Sequence, residues 1–476
     1  IGNSSSTNEE RYITEKGLYQ NILITGTIGS GKTSSCMYPI TKQLIEYKCN
    51  DIDSKLGILV LDVKGNYYKQ VLEYAKNCDR ENDIVVIQLG GKIKYNPLHK
   101  PNLKPTVLAN RLKTILTLFS PNNSESYWLD KSETVLMECI KLCRLYNNGY
   151  VTFSELHKLV NLPNYYLDKI CSFKKIFQSG TLSKEQVYDL SSSLEFFEKE
   201  FHCLDSRTLS ILKSEINRIT GPFISDYQVL NTFSPEIDDL NFYGFSELIN
   251  SGKIVILNMN IAEYKNLSKL IAAYLKLDFQ SEVMSSLSKG SPKRITAFIS
   301  DEFHEYVTVS DADFFAQSRE ARCINIVATQ SYTSLLNTLK EQSCVKAIVQ
   351  NLINKLWFRT DDIFTIEDAQ KQIGKEDKQK TSNTISENAR ETNFNYFTNT
   401  LNSQNSSISE SINTYTQTDY IYDTNFFTQH LETFSCLAFL SDGNKIQTPE
   451  KINLTPYFIS NSTHTNIPQK SKYSII

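Results

Sequence analysis

Residues 22–33 read Ile-Leu-Ile-Thr-Gly-Thr-Ile-Gly-Ser-Gly-Lys-Thr, an apolar run followed without a gap by a complete G-x-x-x-x-G-K-[ST] pattern. The run predicts a buried strand over 22–25. The pattern predicts a phosphate-binding loop made of Gly26, Thr27, Ile28, Gly29, Ser30, Gly31, Lys32, Thr33 and Ser34. Its glycines let backbone N–H groups turn inward around phosphate oxygens, and the next helix points the positive end of its dipole at them. Lys32 supplies a point charge to the outer phosphates, and Thr33 offers a hydroxyl to Mg2+. A helical run follows from Ser34 to Tyr47, which Pro39 bends or restarts from a first-turn position. A Gly/Ser-rich loop arising by chance would lack the strand before it and the helix after it.

Such a loop needs an acid delivered by a second strand, and two strands qualify. Residues 57–61 run into Asp62-Val63-Lys64-Gly65, and residues 295–300 run into Asp301-Glu302-Phe303. An Asp at a strand's carboxyl end reaches Mg2+, and a Glu just after it can polarise the attacking water. The second pair has both parts, so Asp301 is assigned to the metal together with Thr33, and Glu302 to the base. Asp62 and Lys64 read either as a neighbouring strand tip facing the same crevice or as an ordinary strand-end turn. Downstream, 314–322 reads as a helix carrying Arg319 and Arg322. A strand over 324–329 then ends at Gln330, which can contact the outer phosphate or the attacking water. An Arg ahead of that strand can serve a neighbouring subunit's site, or be a solvated surface charge.

Taken in order, these motifs resemble one family, the type IV secretion coupling proteins of conjugation systems, the TraG/TraD-like ATPases. The resemblance rests on "ILITGTIGSGKTSS" with Pro39 after it, "LVLDVKGNY" at 59–67, "YNPL" at 95–98, "FISDEF" at 298–303 and "SREARCINIVATQS" at 318–331. "NKLWFRTDDIFTIEDAQKQIGKED" at 354–377 and "INLTPYF" at 452–458 are similar to the family's late strand and closing segment. Asn66 departs from the Glu the family usually carries after Lys-Gly, which weakens a catalytic role for Asp62 and Lys64.

The resemblance implies a RecA-like P-loop NTPase core, an α/β fold with a mostly parallel twisted sheet, flanking helices and an inserted all-α domain. It divides the chain into 1–103, the helical 104–235, and 236–476. It implies ATP and Mg2+ as cofactors, and Lys32, Glu302, Arg319 and Gln330 as catalytic residues. Arg319 is preferred over Arg322 as an intersubunit finger because it has the family's spacing to Gln330. It further implies a homo-hexamer on the cytoplasmic face of the bacterial inner membrane, with an N-terminal anchor that this chain lacks. The partners would be single- or double-stranded DNA, a relaxase or other secreted substrate, and type IV secretion channel components. A chromosome-pumping DNA translocase of the FtsK/HerA type, and a nucleotide-switched receptor for protein substrates, are the alternatives.

Composition bounds these readings. With 50 Lys+Arg against 53 Asp+Glu in 476 residues the chain is not a strongly basic nucleic-acid binder, so DNA contact must be local. A 40% hydrophobic content with 11% aromatics excludes wholesale disorder. The ten cysteines include no C-x-x-C pair; Cys139 and Cys143, one helical turn apart, read as core thiols. Helices are expected over 105–119, 125–146, 154–160 and 183–220. Tyr127 and Trp128, after a Pro121-Asn122-Asn123 turn, read as core aromatics. The stretch 381–418 stands apart: 25 of its 38 residues are Ser, Thr, Asn or Gln, which reads either as a flexible linker or as an exposed polar hairpin, and the resemblance implies the hairpin.

Overall fold

The computed structural model describes residues 1–460 except 63, 120–125, 179, 181, 265, 289, 291–293, 388–391, 399 and 404–407. The turn expected at 121–123 lies outside the described residues. The chain forms two compact units, Ile1–Thr360 with Leu431–Ile476, and Asp361–His430.

The first unit is built on an eleven-stranded sheet. In chain order its strands are β1 (Gly2–Ser4), β2 (Glu10–Arg11), β3 (Ile22–Thr25), β4 (Gly57–Asp62), β5 (Ile84–Ile87), β6 (Ile254–Asn258), β7 (Thr296–Ser300), β8 (Cys323–Thr329) and β9 (Asn354–Phe358). After the four strands of the second unit, β10 (Lys375–Glu387), β11 (Thr392–Asn395), β12 (Thr400–Ser403) and β13 (Ile408–Tyr420), come β14 (Ser435–Phe439) and β15 (Glu450–Asn453). The spatial order is β2-β1-β15-β14-β9-β3-β8-β7-β4-β6-β5. From β9 through β5 every neighbouring pair is parallel, and from β9 through β2 every pair is antiparallel.

The fold is thus the RecA-like α/β core, a mostly parallel sheet flanked by helices. Strands covered on both faces read as unbroken apolar runs, and all residues of β3, β4, β7 and β8 are buried. Pro39 sits in the first turn of the helix Tyr38–Glu46. The turn from Lys32 to Met37 ahead of it is a wider π-helix. Strand β5 falls between the two acid-tipped strands, ahead of the helical segment.

From Pro105 to Phe233 the described residues are helical or irregular, with helices Pro105–Phe119, Ser126–Tyr146, Phe153–Asn161, Pro163–Gln178, Lys184–Glu195, Ser206–Thr220 and Tyr227–Phe233. The expected run 183–220 is two α-helices separated by a π-turn at Phe196–Phe201. Cys139 and Cys143 are buried in this segment, and burial pushes the Cys143 thiol up to about 12. Tyr127 and Trp128 are not core residues: they stack edge-on at 5.1 Å with Tyr127 exposed and Trp128 half-buried.

The "YNPL" stretch ties this segment to the sheet unit. Tyr95 N–H donates to Thr232 O at 2.8 Å, where the helical segment ends, and Asn96 Nδ2 donates to Val151 O at 2.8 Å. The Tyr95 hydroxyl donates to Asp278 at 2.5 Å; Lys100 and Arg111 reach the same carboxylate at 2.7 and 3.0 Å. Burial alone would raise the Asp278 carboxyl, but the two cations hold it below its ordinary value. Asp278→Ala leaves both cations without their shared counter-charge, so it should destabilise the chain by about 3–5 kcal/mol. Thermal melts of the two proteins measure this. Because the carboxyl is depressed in the folded state, its contribution is complete above the ordinary carboxyl pKa and fades as pH falls through the lowered one.

The second unit carries the polar hairpin. Strands β10 and β13 pair antiparallel from Lys375↔Tyr420 to Glu387↔Ile408, and β11 pairs with β12 beyond them. The segment that stood out in composition is therefore a long two-stranded arm. Alternation along the arm sets Ile385 and Ile412 on one face, at 65% and 63% exposure, and puts Ser382, Thr384 and Ser411 on the other.

Candidate nucleotide site

Four adjacent strands, β3, β8, β7 and β4, end at one edge of the sheet, and each delivers part of the site. The loop after β3 is fixed by backbone contacts. Gly26 N–H donates to Gln330 O at 3.2 Å, and Thr27 N–H donates to Arg359 O at 2.8 Å. Only glycine fits at Gly31, whose φ is +98° and where a Cβ would sit 2.5 Å from the ring of Phe434. Lys32 is folded over the loop and donates to the carbonyls of Gly26 and Thr27. Burial pulls its ammonium below the usual lysine range, against the raising pull of Glu302 and Asp301. Ile28 is 80% exposed at the tip of the loop.

Thr33 Oγ1 donates to Asp301 Oδ2 at 3.1 Å, so the two residues assigned to the metal are already neighbours. A hydroxyl beside a carboxylate is the hard-oxygen donor set that suits Mg2+, which takes its remaining ligands from phosphate and water. Burial raises the Asp301 carboxyl, with Lys64 opposing.

Glu302 is held with φ +50°, a left-handed conformation uncommon outside glycine, that turns its carboxylate across the strand ends. Gln330 Nε2 donates to Glu302 Oε2 at 3.4 Å, and His304 Nδ1 lies 3.5 Å from the same oxygen and 3.2 Å from Thr329 Oγ1. Lys64 makes an ion pair with Glu302 and lies 3.8 Å from Asp301 Oδ2. Burial would push the Glu302 carboxyl up, but Lys64, as donor and as charge, holds it below the usual range.

The Asp62–Lys64 turn therefore faces the same crevice as the P-loop, in spite of Asn66. The Asp62 carboxylate accepts the N–H groups of Lys64, Asn66 and Tyr67, each at 2.8 Å, and so shapes the turn that presents Lys64. Sequence reasoning left Lys64 between two readings and missed His304 and Phe434 altogether. The first was legible as a strand-tip cation; the others depend on contacts that no local pattern encodes.

The region of Arg319 and Arg322 differs from the helix expected there. The helix spans Asp311–Gln317, and both arginines lie in the turn that leads into β8. The chain leaves the helix because Asn21 captures the turn: its Oδ1 accepts from Ser318 Oγ at 3.3 Å and Asn325 Nδ2 at 2.7 Å, and its Nδ2 donates to Phe315 O at 3.0 Å. Since β8 runs parallel to β3, this turn lies at the sheet edge opposite the P-loop of the same chain. Arg322 is 3.7 Å from Glu15, whereas Arg319 is exposed.

With this geometry in place, comparison with known proteins is informative. Residues 223–415 match the family model of the type IV secretion-system coupling protein DNA-binding domain. The plasmid coupling protein TrwB in complex with ADP and Mg2+ matches with a TM-score of 0.60 over 95% of this chain and 91% of its own, at 12% identity. Over residues 223–415 the chain is thus similar to the type IV coupling proteins, and its fold is like that of TrwB. The unbound TrwBdeltaN70 structure gives a TM-score of 0.59 over 92% and 85% of the two chains, at 10% identity. VirB4 of Thermoanaerobacter pseudethanolicus shares the fold more loosely, with a TM-score of 0.51 over 96% of both chains at 12% identity. No curated protein matches the sequence. Among the described residues no helix is long and apolar enough to cross a membrane.

Proposed function

We propose that the chain is the motor portion of an ATP-hydrolysing coupling protein that drives DNA, or a DNA–protein complex, into a type IV secretion channel. One observation carries the reading: Thr33, Asp301, Glu302 and Gln330 converge at the carboxyl ends of three adjacent strands, beside the loop that carries Lys32. The loop N–H groups and Lys32 bind the phosphates of ATP. Thr33 and Asp301 would hold Mg2+, which when bound neutralises developing charge on the outer phosphates. Glu302 accepts a proton from the attacking water, whose oxygen bonds to the γ-phosphorus while the bond to the β–γ bridging oxygen breaks, leaving ADP and phosphate. Gln330 orients that water.

Arg319 belongs to the site of a neighbouring copy, because its own P-loop lies at the other edge of the sheet. That requirement supports a closed ring, and the resemblance favours a hexamer at the cytoplasmic face of the inner membrane. Contact with DNA would run through its phosphates and weaken with salt. A relaxase or other secreted substrate and the channel components would be the remaining partners.

The test is the ATPase rate per chain against protein concentration, with and without single- and double-stranded DNA. The rate per chain should rise with concentration, as a shared site demands, and rise again with DNA. A constant rate per chain that ignores DNA would instead favour a nucleotide-switched receptor.

A further inference from the structure

Phe434 is the second bulky residue at this site with a left-handed backbone. Its φ of +65° is an outlier for an aromatic side chain, of the kind that concentrates at ligand clamps. The surroundings fix it from both sides. Its N–H donates to Ser30 O of the P-loop at 3.1 Å, and its carbonyl accepts from Leu454 N–H at 2.8 Å. Its ring lies so close over Gly31 that no side chain fits there. Phe458 stands edge-on to that ring with centroids 6.1 Å apart and remains 51% exposed. Behind it, Tyr457 contacts Phe458 at 5.5 Å and Tyr38 at 5.1 Å, so the aromatic row continues onto the helix that follows the P-loop.

The sheet order gives this row a direction. Asp301 and Glu302 lie on the β8–β7 side of β3, whereas Phe434 precedes β14, on the β9–β14 side. A nucleotide whose outer phosphate faces Glu302 extends its other end away from the acids and toward the aromatic row. We propose that Phe434 and Phe458 form the base-stacking subsite for the nucleotide whose phosphates the P-loop holds. The proposal rests on the nucleotide reading of the loop. A base held by its π-face is accepted whatever its edge carries, so the subsite takes adenine and guanine alike.

The experiment compares ATP, GTP and inorganic tripolyphosphate, which has the phosphates and no base, by calorimetric titration in magnesium buffer. Phe434→Leu keeps an apolar side chain over Gly31 and removes the stacking face. Phe458→Ala alters an exposed position and leaves the packing at Gly31 intact. Each should weaken ATP and GTP together, by roughly 5- to 150-fold, with tripolyphosphate affinity unchanged. Tripolyphosphate weakened as much as ATP by Phe434→Leu would show that Phe434 only shapes the loop, and would overturn the proposal. Unchanged ATP affinity in both variants would overturn it as well. If the unmutated chain bound neither ATP nor tripolyphosphate, the nucleotide reading itself would fall and the subsite with it.

Discussion

Glu302→Gln is expected to bind ATP as the unmutated chain does and to hydrolyse it roughly 10²–10⁴-fold more slowly, the usual share of a positioned general base. The amide preserves shape at a position where the backbone is already constrained and the contact to Gln330 is close. What it removes is the ability to accept a proton. Single-turnover phosphate release, alongside ATP affinity, separates the two effects. Normal release with normal binding would move the base to another group, for which His304, 3.5 Å from the same carboxylate, is a candidate. Lys64 makes the test sharper. It is the ion-pair partner of the Glu302 carboxylate, so Lys64→Met should slow release in the unmutated background and add little in the E302Q background. Residues that act as one unit behave in this non-additive way. Equal losses in both backgrounds would show that Lys64 acts apart from Glu302.

How far the site could be read from sequence follows from where its information is stored. Strands β3 and β7 were legible because strands buried on both faces leave continuous apolar runs, and each is followed at once by its chemistry. The long helices over 105–119 and 126–146 were legible from periodicity, and β10 with β13 from composition and resemblance together. Strand β5 is only four residues long and half-buried, too little for a pattern. Strands β1 and β2 are short and polar; β15 offers an edge to β1, and β1 in turn offers one to β2. The Lys64–Glu302 pair joins residues far apart in the chain whose strands, β4 and β7, become neighbours only in the folded sheet. Phe434 lies still further from the loop it covers, in a stretch without any recognisable motif. The end of the helix at Gln317 was misplaced for the same reason: 314–322 has acceptable helix formers, and a tertiary contact from Asn21 overrides them.

Arg319→Ala carries the largest expected effect, because fingers of this kind are worth roughly 10³–10⁵ in rate in phosphoryl transfer. The variant should bind nucleotide normally, since its own P-loop lies at the opposite edge of the sheet. It should still assemble, since no fold-supporting partner is given up by an exposed side chain. Arg322→Ala is the built-in control: it loses the contact to Glu15, so its cost should appear in stability while turnover survives. Mixing then decides whether Arg319 acts across a boundary. A chain with Lys32→Ala has a ruined loop and an intact finger, whereas Arg319→Ala has the reverse. In mixed assemblies the finger of the first can complete the loop of the second, so two inactive proteins should regain part of the turnover together. Failure to complement, with each variant folded and assembled, would place Arg319 outside the site. Unchanged turnover in Arg319→Ala alone would assign the finger to Arg322 or to another element. Recovery on mixing would establish that one phosphate site is built from two chains, and that the turn pinned by Asn21 to the start of β3 links each chain's own loop to its neighbour's chemistry.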